Sequence, residues 1–201
     1  MSGHMNDRMR GKMELLKERI KKDGIVDGKI LKVDSFLNHQ VDVLLLAEIA
    51  KEFKKRFEGE SITKVLTLET SGIPIATMVA ATYQVPMVVA RKTIGKNIEG
   101  EVYSTQVESY SKHTTFEVLV GKKFLSSEDK ILMIDDILSN GCALLGLTQL
   151  ILDAGAKIVG AGIVIEKGFQ IGGELMRTAG VRVESLVNIT EITEAGEIIF
   201  A

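Results

Sequence analysis

The chain reads as an α/β protein, a mostly parallel twisted sheet flanked by helices on both faces. Three observations predict it. Apolar runs of strand length alternate with segments of helical period along most of the chain. Breaks marked by Gly and Pro separate them. Polar and charged residues of chemical interest gather just after the apolar runs, where the strands of a parallel sheet end at the edge that binds ligands.

From Met13 to Lys22, Leu15, Leu16 and Ile20 recur among charges at helical spacing, and Gly24 follows as a stop signal. Asp42 is placed to cap a second helix, whose stripe is Leu45, Leu46, Ile49, Ala50, Phe53 and Phe57. The period then changes. Val65 to Leu68 reads as a strand, Glu69 to Gly72 as a turn, and Pro74 sits in the first turn of the next helix, where proline is tolerated. Pro86 to Ala90 gives a second strand, and Ile131 to Ile134 a third whose helix ends near Gly155. Ile158 to Ile165 is a fourth strand, a helix ending at Gly180 follows, and Val181 to Leu186 is a fifth.

Between the second and third strands lies a polar segment, Arg91 to Thr115. A connection this long in a compact domain is read as a flexible lid. Val102, Tyr103 and Val107 also allow an antiparallel hairpin there, and a mobile hairpin can serve as a lid.

The most informative stretch is Ile131 to Ala143. Its apolar run is expected to stop at Asp135 and Asp136, before Ser139, Asn140, Gly141, Cys142 and Ala143 lead into a helix. Small residues let backbone N–H groups converge at a helix start and attract an anion such as a phosphate. The carboxylates are placed to accept hydrogen bonds from sugar hydroxyls or to meet a metal. For an isolated Asp-Asp pair, a strand terminus and helix cap would be the simpler explanation.

At 201 residues, 45% hydrophobic and 26% charged, the chain suits one globular domain. A net charge of -2 gives no basic face for nucleic acid, and no uninterrupted apolar span is long enough for a membrane helix. The lone Cys142 cannot form an internal disulfide. Residues 1–12 are polar, contain Gly3-His4-Met5, and read as a tag or disordered extension rather than a secretory signal. These features together point to a cytoplasmic protein.

The string from Ile131 to Ala143 resembles the phosphoribosyl diphosphate signature of type I phosphoribosyltransferases. A narrower resemblance, to bacterial xanthine phosphoribosyltransferases, covers Met13 to Phe200. It is carried by Leu31 to Gln40, Ala90-Arg91-Lys92, the phosphate loop, and Ile163 to Lys167. The resemblance implies the type I fold with a small hood, contributed by residues 13–40, over a purine. It implies ribose binding by Asp135 and Asp136, and 5-phosphate binding by Ser139, Asn140, Gly141, Cys142 and Ala143. Thr70, Ser71, Gly72, Arg91 and Lys92 would meet the diphosphate. Leu31, Asn38 and Lys167 would contact xanthine, on which Phe169 is placed to stack. His39 is read as a structural hydrogen-bonding residue, and Cys142 has no nucleophilic role.

The implied reaction transfers 5-phosphoribosyl to xanthine, with Mg2+ accompanying the diphosphate and no direct protein ligand to the metal. The protein would be a homodimer. Many purine members place an acid where this chain has Ser139, so no general base is assigned. Guanine or hypoxanthine as acceptor, and a non-catalytic sensor of the purine-repressor type, are the competing expectations. Xanthine and guanine differ at the 2-position, where Asn38 suits either after an amide flip.

Overall fold

The computed structural model describes residues 14–92, 100–109 and 114–201. Residues 14–23 form helix α1, and β1 (Ile25–Asp27) and β2 (Ile30–Lys32) follow as an antiparallel ribbon. A five-residue π turn, Asp34–Asn38, leads to α2 (Val43–Arg56). The main sheet contains β3 (Lys64–Leu68), β4 (Met87–Lys92), β5 (Val102–Ser109), β6 (Thr114–Gly121), β7 (Lys130–Leu138), β8 (Lys157–Lys167), β9 (Val183–Ile192) and β10 (Ile198–Phe200). Helix α3 (Ile73–Tyr83) follows β3, α4 (Cys142–Asp153) follows β7 and α5 (Gly172–Thr178) follows β8.

The strand order is β10-β9-β8-β7-β3-β4-β6-β5. The five strands from β9 to β4 are mutually parallel, and antiparallel strands flank them at both edges. From β3 the chain crosses outward to β4, whereas from β7 it crosses the other way through β8 to β9. The loops leaving the carboxyl ends of β3 and β7 therefore part from one another, and a crevice opens between them.

Alternation along each strand feeds two cores. Leu132 and Ile134 face α1, α2 and α3, whereas Ile131 and Met133 face α4, α5 and the β5–β6 ribbon. Asp42 caps α2 as expected, its Oδ1 accepting from Leu45 N at 3.1 Å, and the whole stripe from Leu45 to Phe57 is buried. Phe53 and Phe57 reach the sheet because β8 carries glycines beneath them. A Cβ at Gly160 would stand 2.7 Å from Phe57 Cε1, and one at Gly162 would stand 2.9 Å from Phe53 Cδ1. Each buried ring contributes about 1.5–3 kcal/mol relative to exposure.

Two details differ from the sequence expectation. Strand β7 does not stop at the acid pair but continues through it to Leu138, because the long β8 supplies partners as far as Leu138↔Glu166. The acids are therefore strand residues, not helix caps. The described part of the segment expected as a flexible lid is strand that extends the sheet: β6 pairs with β4, and Val107 of β5 packs on α4. A Cβ at Gly146 would stand 2.4 Å from Val107 Cγ2, so the missing side chain permits that packing. Residues 93–99 and 110–113 of the lid, and the extension 1–12, lie outside the described residues. Among the described residues no helix is long and apolar enough to cross a membrane.

Candidate active site

The crevice at the ends of β3 and β7 holds a cavity of about 480 Å3, within the usual range of small-molecule sites. Ser139, Asn140, Gly141, Cys142 and Ala143 all line it. Gly141 has φ +84°, a left-handed conformation that suits glycine, and it precedes α4 without any side-chain cap. The first-turn N–H groups of α4, orphaned by helix geometry, thus meet the cavity. Gly172, at the start of α5, braces this loop: its N–H donates to Ser139 O at 3.0 Å. A Cβ on Gly172 would lie 2.3 Å from that oxygen and 2.6 Å from Gly141 N, so two backbones touch where no side chain fits.

Adjacent strand residues face opposite ways, and the acid pair divides accordingly. Asp135 lines the cavity, whereas Asp136 is buried and its Oδ2 accepts from Asn38 Nδ2 at 2.9 Å. Asp135 Oδ1 in turn accepts from Asp136 N at 3.0 Å. Burial, and then the neighbouring Asp136 carboxylate, push the Asp135 carboxyl well above its ordinary value of 3.8.

The turn after β3 approaches Asp135 from the other side. Gly72 is needed there for space and not for unusual dihedrals: its φ is -73°, but a Cβ would lie 2.2 Å from Thr67 Oγ1 and 3.2 Å from Asp135 Oδ1. Thr70 is exposed and Ser71 half-buried, and the Glu69–Thr70 peptide is cis. At the end of β4, Lys92 lines the cavity with its Nζ 5.1 Å from the Phe116 ring centroid, within cation–π range. Arg91 instead pairs with Glu69, Nη1 to Oε2 at 2.9 Å, and does not line the cavity.

Lys167 closes the far end from the tip of β8. It is buried, its Nζ donates to Lys29 O at 3.1 Å, and desolvation pulls its pKa below the ordinary value of 10.5. Beside it, Glu166 is gripped by both terminal nitrogens of Arg177 at 2.8 Å and also accepts from Ser185 Oγ. Gly173 makes room for this ion pair, since a Cβ there would clash with Glu166 Oε1.

The cavity therefore brings together Asp135, Lys92, Lys167 and the whole loop from Ser139 to Ala143. Asp136 and Asn38 stand behind it, joined to each other. Leu31 is buried in the core, Phe169 packs half-buried against that core, and neither lines the cavity. Thr70, Ser71, Gly72 and Arg91 do not line it, although Gly72 comes close to Asp135. His39 is exposed outside the lining, and burial raises the Cys142 thiol, favouring its protonated form. Sequence reasoning missed Lys29, Ile30, Glu108, Phe116 and Gln170 in the wall. The aromatic residue at the cavity is Phe116 of β6, signalled only by its apolar position within the polar segment's far strand.

A family model for the phosphoribosyl transferase domain matches residues 32–185. The chain belongs to the phosphoribosyltransferase family. It is similar to a curated xanthine phosphoribosyltransferase of Lachnoclostridium phytofermentans, with 55% identity across 94% of this chain and 98% of that protein. A xanthine phosphoribosyltransferase of Alkaliphilus metalliredigens is 51% identical across 91% of each chain. Among solved structures, an adenine phosphoribosyltransferase from Rhodothermus marinus superposes with a TM-score of 0.75 at 20% identity, over 90% of this chain and 99% of that one. At that identity the likeness carries the fold alone.

In this phosphoribosyltransferase two segments line the cavity with different material. The loop after β7 offers mainly backbone, whereas the segment after β8 offers the Lys167 ammonium and the Gln170 amide.

Proposed function

We propose that the protein is a xanthine phosphoribosyltransferase of purine salvage, making xanthosine 5'-monophosphate and diphosphate from xanthine and phosphoribosyl diphosphate. The observation that carries this reading is one cavity in which the uncapped start of α4, the Asp135 carboxyl and the Lys167 ammonium meet. The similarity to proteins named for that reaction supplies the base.

Asp135 and Asp136 take the ribose hydroxyls, and the Ser139–Ala143 loop takes the 5-phosphate. Thr70, Ser71, Gly72, Arg91 and Lys92 meet the diphosphate. Asn38 and Lys167 donate to the two carbonyl oxygens of xanthine, with Leu31 and Phe169 contributing apolar contact. The purine nitrogen bonds to ribose C1 as the C1–O bond to diphosphate breaks, so positive charge builds on the sugar and is met by fixed carboxylates. No side chain is assigned to take the ring proton; xanthine is acidic enough for an anion or a water-mediated transfer.

Among the described residues no group of three or more His, Cys, Asp or Glu gathers to cage a metal. An Mg2+ ion carried by the diphosphate needs no such cage, because it keeps several waters and is reached by one or two carboxylates. Asp135, in the cavity wall, suits that role through water, and the ion would neutralise the leaving diphosphate. Residues 13–201 act as one domain in a cytoplasmic homodimer.

The test is turnover: protein, Mg2+ and phosphoribosyl diphosphate with xanthine, guanine or hypoxanthine, monitored for nucleotide and diphosphate. Xanthine should give the highest kcat/KM. A preference for guanine or hypoxanthine would overturn the base assignment, and donor binding without turnover of any base would indicate a sensor.

A further inference from the structure

Glu69 lies at the exit of β3, where the proposed function expects a highly anionic donor to place its diphosphate, and a carboxylate there weakens the local positive field. Charge alone therefore gives no reason for it; geometry does. Glu69 N donates to Ala90 O at 3.0 Å, its Oε1 accepts from Lys92 N at 2.6 Å, and its Oε2 accepts from Arg91 Nη1 at 2.9 Å. One residue thus ties the first turn to three successive residues of β4.

The carboxylate is sheltered and the guanidinium open, with side-chain exposures of 21% and 54%. Both Arg91 and the backbone of Lys92 hold the Glu69 carboxylate below its ordinary range, against the opposing effect of burial, so it is ionised at neutral pH. An arginine that gives one N–H to a carboxylate keeps others in a fixed fork for phosphate oxygens. Arg91 and Lys92 face opposite sides of β4. Glu69 grips the first by its side chain and the second only by its backbone.

We propose that Glu69 is a positioning residue of the diphosphate subsite, setting the Arg91 guanidinium beside the Thr70–Gly72 turn before the donor arrives. The inference rests on the phosphoribosyl-transfer reading. Its energetic logic is preorganisation: the long Arg91 side chain is already ordered, so the donor does not have to order it.

The experiment measures Mg2+-diphosphate affinity by calorimetry and steady-state kinetics for wild type, Glu69→Gln, Arg91→Ala and the double variant. Glu69→Gln should weaken diphosphate binding and raise the donor KM about tenfold, the size expected on losing one charge-assisted contact. The base KM should stay within about twofold, since the base end is untouched. Because Glu69 acts through Arg91, the double variant should be no worse than Arg91→Ala alone. Glu69→Asp, which keeps the charge at shorter reach, should recover part of the affinity and covers the case in which the Gln variant folds poorly. Unchanged or tighter binding in Glu69→Gln, or additive losses in the double variant, would overturn the proposal. Failure of the wild type to bind both diphosphate and donor would overturn the phosphoribosyl-transfer reading itself, and this inference with it.

Discussion

Asn38 Nδ2 donates to Asp136 Oδ2 at 2.9 Å, and this hydrogen bond ties the turn after β2 to the middle of the sheet. Replacing Asn38 by Asp would set two carboxyls against each other where Asp136 is buried. The new pair favours the protonated form, so stability is retained at low pH and lost as pH rises. Asn38→Asp should melt clearly below wild type at pH 8, with the gap narrowing toward pH 4. The xanthine KM should rise about tenfold or more, as a recognition donor is lost. Melting curves across pH and steady-state kinetics check both.

Asp135 carries the same balance in the wild type. Its folded pKa is raised by burial and by Asp136, so the stability it contributes is present below its unfolded pKa and is lost as pH rises. Asp135→Asn removes the disfavoured ionised form. The variant should melt about 2–4 °C higher than wild type at pH 8, the shift expected for about 1 kcal/mol in a chain of this size. At pH 4 the difference should be small, and at all pH values kcat/KM for the donor should fall about a hundredfold. A variant that melts lower at pH 8 would contradict this account.

Gly172→Ala tests the backbone contact beneath the phosphate loop. Its Cβ would lie 2.3 Å from Ser139 O, so the loop has to shift, at a cost of about 1–3 kcal/mol. The donor KM should rise while the xanthine KM holds. Gly180→Ala is the comparison: open space surrounds that position, but φ is +82°. It should cost about 1–2 kcal/mol of stability from backbone strain alone, with kinetics unchanged.

The Glu166–Arg177 pair sets an acid limit. Arg177 holds the Glu166 carboxyl below its ordinary value of 4.5, so the stability it adds is present above that value and drains as pH falls below it. Arg177→Met leaves a buried carboxylate held only by Ser185, and should cost about 2–3 kcal/mol at pH 7. That is less than a fully buried pair would lose, because the Arg177 side chain is 46% exposed. Its acid-unfolding curve should be flatter than wild type, and adding Glu166→Gln should recover most of the loss in denaturant titrations.

Long elements were legible in the sequence because many residues repeat one period: the stripe from Leu45 to Phe57 and the apolar run of β7 each report a face. Ile25–Asp27, Ile30–Lys32 and Ile198–Phe200 were not, since three residues hold too little pattern to separate strand from loop. The continuation of β7 through Asp135 and Asp136 depends on pairing with β8, a contact between residues distant in sequence. At the site, the Ser139–Ala143 loop and Lys167, which line the cavity, could be singled out from local strings. The bond from Lys167 to Lys29 O, the grip of Glu69 on Arg91 and the presence of Phe116 in the wall arise only when separate segments meet.

The touch of Gly172 on Gly141 has a consequence for how such a protein can change over time. Where backbone meets backbone, little can be substituted, so the loop that Gly172 braces tolerates few changes. In the same lining, Lys167 and Gln170 offer side chains where the loop offers backbone. On the proposed reading, a new acceptor preference needs only a few substitutions among those side chains, while the glycines keep the loop in place.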